Sequence, residues 1–193
     1  EARERFGLGE EPVLLFVGQL NWKKNIGNIL EACALLKGQG QPFRLVLAGQ
    51  GQDERAICER GEELSIGDSM LFTGHITDNA LLDGLYQAAS LFVFPSIYDT
   101  AGLVLQEAAV MGTPALLVEG SCSAEGVTHG ENGYLCQNSV EQIAKAILDA
   151  LPTVQTVGAA ARESIPIPWD RLMEQVEQRY AALAQRKGKG GLA

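Results

Sequence analysis

The sequence predicts an α/β fold: a doubly wound, Rossmann-like parallel sheet of about six strands with helices on both faces. Continuous apolar runs, as opposed to alternating ones, are typical of strands buried on both faces of a parallel sheet. Such runs are VLLFV at 13–17, RLVLA at 44–48, LFVF at 91–94 and ALLV at 115–118, with shorter candidates MLF at 70–72 and YLC at 134–136. Segments of helical period separate them, and this repeated order of strand and helix predicts the doubly wound sheet.

Three predicted helices carry an apolar stripe at the helical period, over residues 26–36, 81–89 and 143–151. Ser139, with Gln142 three residues on, forms a capping-box pattern ahead of the third. The two prolines of IPIPW at 165–169 predict an extended break, after which an amphipathic helix is expected from Asp170 to about Gln185.

Composition excludes several classes of protein. The chain has 193 residues, 46% of them apolar, which is enough to bury a core and too many for a disordered chain. Its 15 bases against 24 acids give a net charge of −9, which disfavours general nucleic-acid binding. No apolar run approaches the ~18 residues of a membrane span. The four cysteines lack metal-ligand spacing and there are only two histidines, so we expect reduced thiols and no metal.

Glycines follow the predicted strands, at the edge where a parallel sheet binds ligands. They are Gly18 after the first strand, Gly49 and Gly51 after the second, Gly74 after the third and Gly102 after the fourth. A glycine lets a ligand approach backbone N–H groups closely. Any one of them is more typical of a simple turn, but glycines at four strand ends together favour a binding edge.

The most informative stretch is PSIYDTAGLVLQEAAVMGTP at 95–114. A helix that begins near Gly102 or Leu103 leaves its first amides free at the positive end of the helix dipole, where a phosphate can bind. Asp99 precedes these amides, and Glu107 lies about one turn inside the helix. Because a carboxylate can accept two hydrogen bonds from a vicinal diol, the two acids suit a ligand that also carries hydroxyl pairs. Alternatively, Asp99 caps the helix and Glu107 only complements its dipole.

This stretch resembles the signature of the retaining glycosyltransferases of GT-B architecture, specifically of the large family four. These enzymes carry an acidic residue, seven intervening residues and a Glu at a helix N-terminus in the donor-binding domain, a spacing that Asp99 and Glu107 match. Further family-like stretches follow in the expected order over residues 12–185: FVGQLNWKKN, LVLAGQG, LFTGHI, and EGVTHGENGYL with its Glu125, Gly130, Asn132 and Gly133.

The resemblance implies a site for a nucleoside-diphosphate sugar, a UDP-sugar being favoured, with no cofactor and no metal. Lys24 would pair with the diphosphate, Asp99 would hold hydroxyls of the transferred sugar and Glu107 the ribose diol, and these three are the expected catalytic residues. The other expected donor contacts are Gly18, Gln19, Gly49, Gly51, His75, Ile76, Thr100, Gly102, Leu103 and Val104.

The resemblance also implies that the chain is the donor-binding half of a retaining, metal-independent hexosyltransferase. Its partner would be a missing N-terminal acceptor-binding domain, and this fragment alone is expected to be inactive. We expect a cytoplasmic protein with no nucleic-acid partner and no transmembrane segment, peripheral membrane contact of the full protein being left open. The expected segments are a linker remnant at 1–11, the nucleotide-sugar-binding domain at 12–165, a C-terminal crossing helix at 166–186 and a flexible tail at 187–193.

Two positions depart from the family pattern. Gln19 stands where the family usually carries Arg, and Asp99 is one methylene shorter than the usual Glu. These departures indicate either a subfamily with its own donor or a catalytically silent relative, a nucleotide-binding scaffold or sensor. A dinucleotide-binding dehydrogenase domain is a third alternative, which is disfavoured because no Gly-x-Gly-x-x-Gly turn follows the first strand.

Overall fold

The computed structural model describes residues 1–99, 103–166, 173 and 177–180. Six parallel strands form one sheet: β1 (Val13–Val17), β2 (Arg44–Ala48), β3 (Met70–Gly74), β4 (Leu91–Phe94), β5 (Ala115–Val118) and β6 (Tyr134–Cys136). They lie in the order β3-β2-β1-β4-β5-β6. The order reverses between β1 and β4, which is the arrangement of a doubly wound sheet and confirms the predicted fold class.

Burial explains why the strands appear in the sequence as continuous apolar runs. Every residue of β4 and β5 is buried, as are four of the five residues of β1 and of β2. Side chains on both faces of these strands therefore meet the core, and no polar alternation is required. The outer strand β3 is only half-buried along its length, and it runs to Gly74, beyond the predicted 70–72.

Helices cover both faces of the sheet. They are α1 (Ala2–Arg5), α2 (Ile26–Gly38), α3 (Glu54–Glu63), α4 (Asn79–Ala88), α5 (Leu103–Val110), α6 (Val140–Ala150) and α7 (Val154–Ser164). One layer contains α2 packed against α3 and α6, while in the other α4 contacts α1 and α5, and α5 contacts α7. Ser139 caps α6 as predicted, since its side chain accepts a hydrogen bond from Gln142 N at 3.3 Å.

The sequence pattern does not predict α3 or α7. Only Ile57 and Gly61 of α3 are buried, so it carries almost no apolar stripe. The buried face of α7 consists of Val157, Gly158 and Ala161, and a Cβ on Gly158 would lie 2.0 Å from the carbonyl oxygen of Gly112. This face packs through close approach of the two backbones and not through large apolar side chains. A search for periodic hydrophobic residues does not detect packing of this kind.

The structure describes the N-terminal segment predicted to be a linker, but little of the predicted C-terminal helix and tail. Within the stretch expected as a linker, residues 2–5 form α1, where Ala2 is buried and Arg3 donates a hydrogen bond to the carbonyl oxygen of Ala88 at 3.3 Å. The predicted crossing helix and tail lie outside the described residues, apart from Pro166, Met173 and 177–180. In the described part of the chain, no helix has the length and apolar character needed to cross a membrane.

Candidate functional site

A cleft of about 810 Å³ opens where β1, β2 and β3 end. It lies beside the point at which the strand order reverses, where sheets of this kind bind their ligands. Six of the residues predicted to contact the donor line it: Gly18, Gln19, Gly49, Gly51, His75 and Ile76. The structure thus brings three loops that are distant in sequence to one surface, and the exposed His75 and Gln19 stand at that surface.

Gly49 and Gly51 are also required by the way in which two of these loops cross. A Cβ on Gly49, whose φ is 135°, would lie 1.9 Å from the carbonyl oxygen of Gly18. A Cβ on Gly51 would lie 2.2 Å from the carbonyl oxygen of Leu20. Both distances are far below van der Waals contact, so the packing of the loops demands glycine at these positions whether or not a ligand approaches.

Lys24 and Asp99 form an ion pair although they are 75 positions apart in the sequence. Lys24 ends a single turn of 3₁₀ helix at Trp22–Lys24, and Asp99 lies in the loop after β4. The Lys24 ammonium donates a hydrogen bond to Asp99 Oδ1, and the two side chains are only 23% and 19% exposed. The ammonium carries three N–H bonds, of which this contact uses one.

The loop after β4 also contains two buried oxygen atoms without hydrogen-bond partners. Asp99 Oδ2 and Ser96 Oγ are both shielded from solvent, and no donor or acceptor reaches either of them in the described structure. Native proteins pair nearly all such atoms, so an unpaired carboxylate oxygen indicates a place for a missing donor. Nothing in the sequence pattern distinguishes Ser96 from an ordinary loop serine.

An asparagine that the sequence analysis missed ties the loop of Lys24 to the loop of Asp99. Asn25 adopts a left-handed backbone, with φ of 61°. Its side-chain amide donates to the carbonyl oxygen of Pro95 at 3.0 Å and to Asn138 Oδ1 at 2.7 Å. The loop after β1, the end of β4 and the residue before the cap of α6 are therefore joined through one side chain. Asn is the residue that best tolerates this backbone after glycine, which is the only signal of it in the sequence.

Glu107 lies on α5 and is held by a second residue that the sequence analysis missed. The hydroxyl of Tyr86, on α4, donates to Glu107 Oε2 at 2.9 Å. Burial, and next the nearby Glu107 carboxylate, raise the pKa of Tyr86, so its phenol stays protonated and remains a donor.

The remaining predicted residues lie at the start of α5 or outside the described structure. Leu103 and Val104 are its first two residues, whose N–H groups have no partner within the helix. Leu103 is 70% exposed. Thr100 and Gly102 lie outside the described residues.

In the described part of the chain, neither the cysteines nor the potential metal ligands form a second reactive centre. All four cysteines are free, and burial raises the pKa of Cys33 and raises that of Cys136 to about 11, so both thiols are protonated at neutral pH. Among the described residues, no three His, Cys, Asp or Glu side chains are grouped so that they could hold a metal ion.

Comparison with known proteins identifies relatives of the whole described architecture. Residues 1–155 match the family described as "Glycosyl transferases group 1". A glycogen synthase from Mycobacterium tuberculosis is 29% identical over 193 residues, which cover 97% of this chain and 45% of the relative. Sucrose-phosphate synthase from Thermosynechococcus elongatus superposes with a TM-score of 0.81 at 29% identity, covering 96% of this chain and 49% of that one. The fold of HepE from Anabaena, crystallised in complex with UDP, gives a TM-score of 0.79 at 20% identity over 93% of this chain and 51% of that one. The chain therefore spans about half the length of the relatives that it matches.

Proposed function

This chain belongs to the glycosyl transferases of group 1, and from that premise we propose that it is the donor-binding half of a retaining, metal-independent hexosyltransferase. The donor is a nucleoside-diphosphate sugar, with a UDP-sugar favoured, and the acceptor-binding half lies outside this chain. The observation that carries the proposal is the ion pair of Lys24 and Asp99, in which the ammonium and one carboxylate oxygen keep unused hydrogen-bonding capacity.

Each member of this pair suits a different part of the donor. In the part of the chain that the structure describes, the contact with Asp99 uses one of the three N–H bonds of Lys24, which leaves two for phosphate oxygens. Asp99 Oδ2, buried and unpartnered among the described residues, can accept a hydrogen bond from a hydroxyl of the sugar. A sugar next to a diphosphate supplies both kinds of group within a few ångströms of one another.

The start of α5 adds to the diphosphate site. The backbone N–H groups of Leu103 and Val104, which have no hydrogen-bond partner among the described residues, lie at the positive end of the helix dipole. When the bond between the anomeric carbon and the diphosphate oxygen breaks, negative charge grows on the diphosphate. Lys24 and these amides stabilise that charge from fixed positions, which lowers the barrier through electrostatics alone.

The nucleoside is expected in the cleft at the ends of β1, β2 and β3. His75 and Ile76 would border the base, and Glu107, near the beginning of α5, would accept hydrogen bonds from the ribose diol. The preference for uridine is supported by HepE, which shares this fold and was crystallised with UDP.

Calorimetric titration of this chain with UDP-glucose, UDP, GDP and ADP tests the proposal. Lys24→Met should weaken binding of UDP at least roughly tenfold, because a charge-assisted hydrogen bond is lost. Lys145→Met is the matched control, since Lys145 also pairs with an aspartate, Asp149, but on the exposed face of α6. Saturable binding that only Lys24→Met weakens is expected. No binding of any of the four ligands, or equal binding by Lys24→Met and the wild type, would contradict the proposal.

One observation favours a second function, that of a silent nucleotide-binding scaffold or sensor. The exposed side chain of Gln19 accepts a hydrogen bond from Asn21 Nδ2 at 3.3 Å and provides no cation where the family pattern carries one. Sugar transfer measured with a full-length protein that contains this chain decides between the two. Product of retained anomeric configuration supports the enzyme, whereas donor binding without any product supports the scaffold.

A further inference from the structure

We propose that Tyr86 is a positioning residue of the nucleotide site: its hydroxyl fixes the Glu107 carboxylate in the orientation that accepts the ribose diol. The inference rests on the proposed function, because it assigns a new residue to the same site. Tyr86 itself is fully buried and its hydroxyl is bonded to Glu107, so it would act on a ligand only through Glu107.

Tyr86 is held rigidly from two sides. Its ring packs edge-on against Phe92 of β4, with centroids 5.8 Å apart and planes at 71°. Its carbonyl oxygen accepts a buried hydrogen bond of 2.6 Å from the hydroxyl of Thr113, which follows α5. The phenol therefore has a fixed position relative to both the sheet and the helix that carries Glu107.

The contact with Glu107 constrains a side chain that is otherwise exposed. Among the described residues, the 2.9 Å hydrogen bond to Oε2 is the one hydrogen bond that the Glu107 carboxylate receives. Within that described part of the chain it leaves Oε1 and one lone pair of Oε2 available, and these can accept two hydroxyl hydrogens from a diol. Without Tyr86, an exposed glutamate would sample several rotamers, and a ligand would have to select one of them.

The phenol is suited to this role because it cannot compete for the ligand. Burial keeps it protonated, and its single hydrogen is directed to the carboxylate. A tyrosine at this position thus supplies a permanent donor to one carboxylate oxygen, and the carboxylate remains an acceptor through its other lone pairs.

Calorimetry of the chain with UDP and with 2′-deoxy-UDP tests the inference. Tyr86→Phe keeps the ring and removes the hydroxyl, and it should weaken binding of UDP roughly tenfold while affecting 2′-deoxy-UDP less. The ratio of the two affinities should therefore fall toward that of Glu107→Ala, and adding Tyr86→Phe to Glu107→Ala should cause little further loss. A residue that only stabilised the fold would not change this ratio.

The matched control is Tyr134→Phe. Tyr134 is also buried, and its hydroxyl bonds to the carbonyl oxygen of Ala150 and to Thr153 Oγ1 at the end of α6. This variant loses comparable hydrogen bonds away from Glu107, so it should bind UDP and 2′-deoxy-UDP with the wild-type ratio.

A measurement on the unmutated chain covers the case in which Tyr86→Phe does not fold. With ¹³Cζ-labelled tyrosine, UDP should shift the resonance of Tyr86 and leave that of Tyr134 in place, the signals being assigned from Phe variants of the other three tyrosines. If the wild type binds UDP but Tyr86→Phe keeps both affinities, or if the Tyr86 resonance does not move, the inference is overturned and the proposed function stands. If the wild type binds neither UDP nor any other nucleotide of the panel, both fall.

Discussion

Asn25 offers the sharpest test of how the loops at the sheet edge are held together. Its side chain makes two hydrogen bonds, to Pro95 O and Asn138 Oδ1, and its backbone adopts a left-handed conformation. The two effects can be separated, because glycine keeps the backbone freedom without the side chain, whereas alanine loses both. We expect both variants to destabilise the fold, and alanine to do so more.

The magnitudes follow from the contacts. A net contribution of about 1 kcal/mol for each hydrogen bond means that Asn25→Gly should lower the free energy of unfolding by about 2 kcal/mol. Asn25→Ala adds a left-handed backbone cost of about 1 to 2 kcal/mol, for a total of about 3 to 4 kcal/mol. Asn28→Ala is the control: it loses one bond of 3.2 Å to Asn138, and the better helix propensity of alanine offsets part of that loss, leaving about 0.5 kcal/mol.

Urea unfolding followed by circular dichroism measures all three values, provided that the slope with denaturant stays constant. UDP titration of the same variants should show weaker binding for Asn25→Gly than for Asn28→Ala, because only the former unties the loop of Lys24 from the loop of Asp99. Equal stability of Asn25→Gly and Asn25→Ala would refute the backbone argument. If Asn25→Gly or Asn25→Ala lowers the free energy of unfolding no more than Asn28→Ala does, the proposed role of Asn25 in joining the loops is refuted.

Two further predictions concern stability alone. Gly49→Ala places a Cβ 1.9 Å from a backbone oxygen and should lower the free energy of unfolding by about 3 kcal/mol or more. Gly38→Ala, with open space around its Cβ at the end of α2, should leave that free energy unchanged or raise it slightly in the same urea assay. Similar losses of stability in the two variants would contradict the steric argument for Gly49. Burial raises the pKa of Cys33 and of Tyr86, so above about pH 9 the unfolded chain loses protons that the folded chain keeps. The free energy of unfolding should therefore fall by about 1.4 kcal/mol per pH unit for each group, once the pH exceeds the pKa of that group in the unfolded chain. Urea unfolding between about pH 7 and 11 should show no pH dependence from these two groups near neutrality. In Cys33→Ala the free energy of unfolding should fall less steeply with pH above about pH 9, and an unchanged slope in that variant would refute the contribution of Cys33.

The strands could be predicted because their burial leaves a local trace. VLLFV at 13–17 is apolar throughout since both faces of β1 meet the core, and its bounds are those of the structure. The helix α7 left no such trace, because Gly158 packs against the backbone of Gly112 and contributes no apolar side chain. Helices that pack through small residues are hidden from an analysis that follows hydrophobic periodicity.

In the candidate site, too, residues close together in the sequence could be predicted, whereas contacts between distant residues could not. The spacing of Asp99 and Glu107 is local, so it could be recognised in the sequence. The hydroxyl that holds Glu107 belongs to Tyr86, 21 positions earlier and on another helix, and no pattern within either segment connects the two. Asn25 and Asn138 are 113 positions apart, and only the strand order brings them together.

The ion pair of Lys24 and Asp99 has a consequence for how strongly a ligand can be held. Both charges are in place before any anion arrives, and Asn25 fastens the segments that carry them. The conformational entropy of Lys24, Asn25 and Asp99 is thus lost during folding and not during association, so a larger share of each contact with the proposed ligand should appear as affinity. A site that is preorganised in this way releases its ligand slowly for the number of contacts that it makes.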